Sequence, residues 1–347
     1  MTKETLNKFL IDIIENSSDE KKRYDSLEAL QKNFYNLAKY FTFLENLLIS
    51  DLNPKIRIKA AELLVHYFLP KSLNPIKWAL QNDNSIECVI KYTEIIKEYN
   101  EKFLFQILIS EIEQYFNKYK QFHSKLENFV FYNQDLDDLI EILLNYKILN
   151  KMITIFPNLK KENNFVKIYG GKIRHLELTN KNIKKIIDIE GLDLLTNLED
   201  LNLSYNDISE IIGLNNLTKL QNLNLSHNKI SKIENLENLT ELHSLNLGFN
   251  KIEKLTGIKD MKKLINLNLM HNKIKNFDDL TQLQSLETIN LSKNLIYKIN
   301  GLDNLMKLKA LDLTFNNIKD ISKPDKYKNK IKLLLYGNPF NTYDPGL

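Results

Sequence analysis

Two histidines, His227 and His271, hold the same place in two copies of a recurring phrase. Imidazole is the commonest metal ligand, so like-placed histidines raise the question of a metal centre. One further copy separates them and carries Phe249 at that place. If each copy supplies one strand, the histidines stand roughly 10 Å apart at about 4.8 Å per strand. Ligands of one Zn²⁺ each sit about 2 Å from the ion, so the pair is not expected to share a metal. Cys88, the one cysteine, is a nucleophile only beside an activating base. It sits among Ile86, Val89 and Ile90, so a core thiol is expected. The sequence holds no glycine-rich phosphate loop, no H-E-x-x-H and no cysteine pair for zinc. These residues lead to the expectation of a chain that is not an enzyme and uses no cofactor.

The 347 residues are 43% hydrophobic and 27% charged, which fits folded domains. The net charge is +4, and neither part is strongly charged. Up to residue 160 there are 21 basic and 22 acidic residues; beyond it there are 27 and 22. That balance gives no pull towards nucleic acid or an anionic membrane. A single cysteine permits no intrachain disulfide. The apolar stretch near the N-terminus is short and interrupted by Asp12, and no run of about 18 apolar residues occurs. Sequons such as Asn202-Leu-Ser204, Asn224-Leu-Ser226 and Asn238-Leu-Thr240 would invite glycans in a secreted protein. The expected setting is intracellular, in the cytoplasm.

The recurring phrase organises the second half. "LNLSHNKI" at 223–230 returns as "LNLSYNDI", "LNLGFNKI", "LNLMHNKI", "INLSKNLI" and "LDLTFNNI". Its Asn falls at Asn206, Asn228, Asn250, Asn272, Asn294, Asn316 and Asn338, every 22 residues. A fixed period of this length marks a stacked-repeat architecture. Leu223 and Leu225 alternate as in a strand with one buried face. Ile230, Ile233, Leu236, Leu239 and Leu242 then recur every three residues, which predicts a return path of turns or 3₁₀ helix. One such coil cannot bury enough surface alone, so neighbours must stack and pair their strands in a parallel sheet. An inward Asn amide at the strand-to-turn corner is expected to pair with backbone groups, a structural role.

These units resemble the leucine-rich repeat, L-x-x-L-x-L-x-x-N-x-I, in the 22-residue form with I-x-x-L-x-x-L returns. That form looks like the Sds22-like class of protein phosphatase regulatory subunits; bacterial internalins share a similar unit but are exported. The resemblance covers about residues 170–340 and implies a horseshoe with a parallel concave β-sheet on which partners dock. The ends depart from the pattern. Lys181 stands where the first ladder Asn is expected, three extra residues precede Asn206, and "LLLYGNPF" is similar to terminal repeats.

Residues 1–155 read as helices. "NPKIRIKAAELLVHYFLP" spaces Ile56, Ala60, Leu64 and Phe68 by four between Pro54 and Pro70. "SIECVIKYTEIIKEY" repeats the pattern, with shorter apolar helices before each. Asp51, Ile56, Arg57, Ala60 and Leu64 resemble the second helix of a HEAT repeat, at a step of 30 residues. Glu87 replaces the next arginine, so an Asp–Arg ladder is expected to stop there. The expected fold class is an α+β solenoid: a HEAT-like α-helical domain at 1–155, a junction at 156–169, and about eight repeats at 170–347. The Gly170-Gly171 pair is expected to precede the first strand, with the last helix covering the open end of the repeats.

Three columns flank the buried leucines of the strands. The middle one reads Glu177, Asn202, Asn224, Asn246, Asn268, Asn290, Asp312 and Leu334, a row of amides with acids at its flanks. The next, including Ser204, Ser226, Gly248, Ser292 and Tyr336, is expected to be an outward, mostly small and flat strip. The column before the ladder Asn reads Asn180, Tyr205, His227, Phe249, His271, Lys293, Phe315 and Gly337, a ridge of rings. Rings beside amides suit a protein interface. The rings are equally suited to stacking on one another to brace the turn, and the amides to pairing laterally. The expected function is a non-catalytic scaffold that binds a protein on the concave face through the ridge from Tyr205 to Phe315, the amides, Asp312 and Tyr336. The helical domain either holds a second partner or caps the repeats. A phosphatase regulatory subunit is the narrower alternative, and a nucleic-acid-binding helical array is the alternative of another class.

Overall fold

The four-residue apolar spacing and the Asp, Asn and Pro stops of the first third resolve into helices in the computed structural model. It describes residues 2–34, 37–99, 101–123, 134–162, 164–299, 301–319 and 331–339, so Phe340 of the terminal motif lies outside the described residues. The chain divides into two compact units, Met1–Lys120 with Asn128–Lys151, and Gln121–Glu127 with Met152–Leu347.

In the first unit the helices are α1 (Lys3–Asn16), α2 (Glu20–Gln31), α3 (Phe41–Ser50), α4 (Pro54–Phe68), α5 (Leu73–Asn82), α6 (Ile86–Tyr99) and α7 (Glu101–Lys118). The helix α8 (Leu136–Ile155) follows, its last residues belonging to the second unit. Side-chain caps set several starts. Asp19 accepts from Lys22 N at 3.0 Å, and Asn53 accepts from Lys55 N at 2.9 Å with Pro54 filling the first helical position. Helices pair as α1 with α2, α3 with α4 and α5 with α6, and α4 packs against both α2 and α6.

Two arginines tie successive pairs together. Arg23 on α2 forms a bidentate pair with Asp51, just before α4. Arg57 on α4 donates from Nε and Nη2 to Asp83 at 2.8 and 3.0 Å, just before α6. Burial works against the Asp83 carboxylate, but hydrogen bonds from Arg57, Ser85 N and Tyr92 hold its pKa below the usual range. Each arginine thus reaches forward to the aspartate that precedes the second helix of the next pair, so two rungs form before the run ends where Glu87 replaces the next arginine. Cys88 is fully buried, and burial raises its thiol pKa, as a core thiol requires.

The second unit is built on a nine-stranded sheet in sequence order. Its strands are β1 (Val166–Tyr169), β2 (Lys172–Glu177), β3 (Asp200–Asn202), β4 (Asn222–Asn224), β5 (Ser244–Asn246), β6 (Asn266–Asn268), β7 (Thr288–Asn290), β8 (Ala310–Asp312) and β9 (Lys332–Leu334). From β2 to β9 all pairing is parallel, with like residues in register: Leu223 beside Leu245, Asn224 beside Asn246. One strand corrects the sequence reading. β1 precedes Gly170-Gly171 and runs antiparallel to β2, inside the stretch read as a junction. Both glycines have positive φ, 56° and 72°, the turn that a two-residue hairpin needs. β1 thus covers the edge of β2, and Phe165 beside it meets the Phe122 ring edge-on at 5.0 Å.

Leu223, Leu225 and the return residues from Ile230 to Leu242 are buried. Several returns contain 3₁₀ turns, as at Thr256–Ile258, Asp278–Gln282 and Leu302–Asn304. The three extra residues before Asn206 supply a second such turn, Ile186–Asp188 followed by Leu192–Leu194, entered at Gly191 with φ 80°.

The ladder amides fasten the coils to each other. Asn250 Oδ1 accepts from Ile230 N at 2.9 Å, in the preceding repeat. Its Nδ2 donates to Leu225 O at 2.9 Å in that repeat, and to Leu247 O at 3.0 Å in its own. Asn228, Asn272, Asn294 and Asn316 repeat this arrangement. Lys181 takes the ladder place in the first repeat, where no earlier coil of the series offers those carbonyls. Its Nζ pairs instead with Glu162 at 2.7 Å.

Asn250→Ala leaves the buried Ile230 N–H without a partner, while Leu225 O and Leu247 O each keep one bond, from Asn228 and Asn272, so denaturant unfolding should show a loss of about 2 kcal/mol. Lys147, on α8, is buried and donates to Gln81 O at 2.8 Å, while Gln81 donates to Glu111 at 2.7 Å. Burial pulls the Lys147 pKa down to about 8, with Glu111 and Asp83 opposing. Because the unfolded chain then binds the proton more tightly, stability should rise with pH once pH exceeds that value. Between pH 8 and 10 the rise is about 2 kcal/mol, followed by circular dichroism of the helices. Lys147→Met should flatten it.

Candidate functional site

Strand alternation turns Leu223 inwards and leaves Asn222 and Asn224 on the open face of the sheet. The middle column is half-buried from Asn202 to Asp312. Its oxygens are already engaged. Asn224 Oδ1 accepts from Ser226 N at 3.0 Å, and the same bond to the residue two places on recurs at Asn202, Asn246, Asn268 and Asn290. Asp312 does likewise with Thr314 N at 2.9 Å. This caps the strand end where the ladder stops and the turn begins. Lateral pairing is confined to the first step, where Asn202 Nδ2 donates to Glu177 at 3.4 Å. The Nδ2 groups of Asn224, Asn246, Asn268 and Asn290 bond to no other described residue and face the open side. A shallow depression of about 390 Å³ lies over Asn246, Asn268, Asn290 and Asp312, with Thr288 and Lys332 at its sides.

The adjoining column is not the flat outward strip expected. Ser204, Ser226 and Ser292 are buried, and the Ser226 and Ser292 hydroxyls donate to Asn224 and Asn290 at 2.8 and 2.7 Å. The backbone here still pairs with the next repeat, as Tyr205 N donates to Ser226 O, which draws the small side chains under the surface. Larger residues in the column emerge: Tyr336 is 79% exposed.

The ridge is a stack. Tyr205 and His227 rings lie 4.0 Å apart at 9°, His227 and Phe249 4.1 Å at 12°, and Phe249 and His271 4.9 Å at 16°. Lys293 Nζ then stands 6.0 Å from the Phe315 ring, and Phe315 meets Tyr336 edge-on at 5.5 Å. Phe249 fills the space between the two histidines with a ring. Partial burial, then the charge of His271, lowers the His227 pKa, so near neutral pH it stacks as the uncharged ring. Tyr205 and Phe315 remain about half exposed.

All six ridge residues from Tyr205 to Phe315 adopt left-handed backbone, φ 53° to 57°. Bulky residues incur roughly 1 kcal/mol or more there. The reversal that swings the following Asn inwards imposes it, and ring stacking worth about 0.5–1.5 kcal/mol per pair offsets part of the strain. The sequence signal for this geometry lies at the ends of the column. Asn180 and Gly337 are the residue types that accept positive φ most readily.

Leucine-rich-repeat models match residues 218–260, as two copies, and residues 195–210 and 304–321. These matches and the stacked parallel sheet define a leucine-rich-repeat solenoid preceded by a helical region. Among solved structures the chain is similar to internalin C2 of Listeria monocytogenes at 26% identity. That likeness covers 57% of this chain and 86% of the internalin, with a TM-score of 0.46. It is also similar to a leucine-rich-repeat protein of Leptospira interrogans at 25% identity, over 48% of this chain and 50% of the other, with a TM-score of 0.44. No curated protein matches the sequence. No helix among the described residues is long and apolar enough to cross a membrane.

The backbone strain yields a prediction. Phe249→Asn and Phe249→Ala both remove the ring, but Asn tolerates the left-handed conformation better. Denaturant unfolding should therefore find the Asn variant more stable than the Ala variant by about 0.5–1 kcal/mol. The reverse order would show that the strain is not carried at this position.

Proposed function

We propose that the chain is a non-catalytic protein-interaction scaffold that docks a partner protein on the concave face of its repeat sheet. The observation that carries this reading is the row of amides over β4 to β7. Each amide has its oxygen tied to backbone and its Nδ2 left facing the open side. Such donors are pre-positioned at strand spacing, so a partner's carbonyls or carboxylates meet them with little ordering cost. The ring edges of the ridge and Tyr336 border the same face and supply apolar contact area.

The two Arg–Asp rungs and the two rows of paired helices support reading residues 1–155 as a HEAT-like array, a second surface for a partner. The 22-residue repeat favours, within this reading, a regulatory subunit of the Sds22-like type. A single, buried cysteine favours an intracellular setting.

Asn246→Asp with Asn290→Asp is the test. Aspartate keeps the oxygen that caps the strand, as Asp312 does, and deletes the donors. Thermal unfolding should change little. Partners that co-purify with the wild-type chain, identified by mass spectrometry, should be lost. Undiminished recovery with the double variant would sink the concave-face reading.

A further inference from the structure

A near-balanced charge over the whole chain conceals a segregated one. The loops that leave the C-terminal ends of the parallel strands hold Lys229, Lys251 and Lys273 directly after successive ladder Asn, and Lys232, Lys254 and Lys298 three residues further on. All six are exposed. Backbone bonds hold the first three in a column: Lys229 N donates to Ile208 O, Lys251 N to Ile230 O and Lys273 N to Ile252 O, each at 2.8 Å. Lys293 of the ridge and Lys275 add to the same edge. Within the six-residue stretches 227–232, 249–254, 271–276 and 293–298 Glu253 is the one acid, while Glu234, Glu237 and Asp260 lie further along the loops beside Lys232 and Lys254, and Asp207, a repeat earlier, pairs with Lys229 at 2.5 Å. Lys251 and Lys273 form no ion pair among the described residues. The fold therefore aligns like charges at strand spacing, about 5 Å, where they repel.

We infer that this lysine-lined edge, beside but separate from the concave face, is a docking surface for an acidic polypeptide segment of a partner protein. Charge complementarity selects an anionic occupant. The ridge argues for polypeptide over single-stranded nucleic acid. Proteins that hold single strands offer free aromatic faces to the bases. Here the faces of His227 and Phe249 are occupied by neighbouring rings at 4.0 to 4.9 Å, leaving only edges. The loops from 227 to 298 carry lysine and no arginine, so the planar fork suited to phosphate is absent from them. At the C-terminal end of the lysine column, Leu295 follows Lys273 in register, and it and Tyr297 are 41% and 59% exposed. An acidic segment bearing one apolar side chain matches this pattern: carboxylates along the lysines, the apolar group against Leu295 and Tyr297.

The test uses the full chain and a fluorescent glutamate-rich peptide carrying one leucine. Its comparators are a single-stranded oligonucleotide of equal charge and phosphatidylserine vesicles. The peptide should bind in low salt and weaken as salt rises. Lys251→Gln, Lys254→Gln and Lys273→Gln combined should weaken it about tenfold, three contacts of roughly 0.5 kcal/mol each. Leu295→Ser should weaken it independently of salt. Asn246→Asp with Asn290→Asp should leave it largely unchanged, which separates this surface from the concave one. Peptide binding indifferent to the lysine variant overturns the inference. So does tighter lysine-dependent binding of the oligonucleotide or the vesicles.

Discussion

The second unit depends on one amide per coil. A strand of three residues cannot carry its own turn, because the chain reverses inside the core where no water reaches the backbone. The ladder Asn brings a donor and an acceptor on a short arm, and each one links its own coil to the preceding one. Stacking is thus the condition under which each turn's polar groups are satisfied. The same amide dictates what comes before it: to swing inwards, the preceding residue takes left-handed backbone in repeat after repeat. The ridge of rings is a consequence of that reversal before it is anything a partner meets.

The helical unit meets a similar need with charge. Arg23 and Arg57 each leave their own helix pair and bond to the aspartate between the two helices of the next. Half-buried charges are costly alone and acceptable when fully hydrogen-bonded, as Asp83 is through Arg57, Ser85 and Tyr92. A polar group spans neighbouring helix pairs in the first unit and neighbouring coils in the second, so cohesion is a nearest-neighbour property.

What remains for a partner is narrower than the surface columns imply. The small residues beside the strands are drawn under the surface, the amide oxygens cap their own strands, and the ring faces are used by other rings. Left over are amide nitrogens, ring edges, a few larger side chains such as Tyr336, and the lysines of the outgoing loops. Those lysines carry little weight in a net charge of +4, since acids elsewhere in the chain offset them. Their alignment arises when the period of 22 is wound into register.

The sequence by itself determined the repeat, the buried positions, the ladder role of Asn and most helices, because each depends on a short period or a local cap. The sheet's first strand escaped it. "VKIY" is four residues long in a polar stretch, and only its pairing with β2 makes it a strand. The forward reach of Arg57 to Asp83 spans 26 residues and follows no local rule. Burial of Ser226, left-handed backbone at Phe249 and the depressed Lys147 pKa were likewise decided by tertiary structure. The physical reason is common to all of them: periodicity reports which way a side chain points, whereas partners, strain and solvation depend on what the folded chain brings against it.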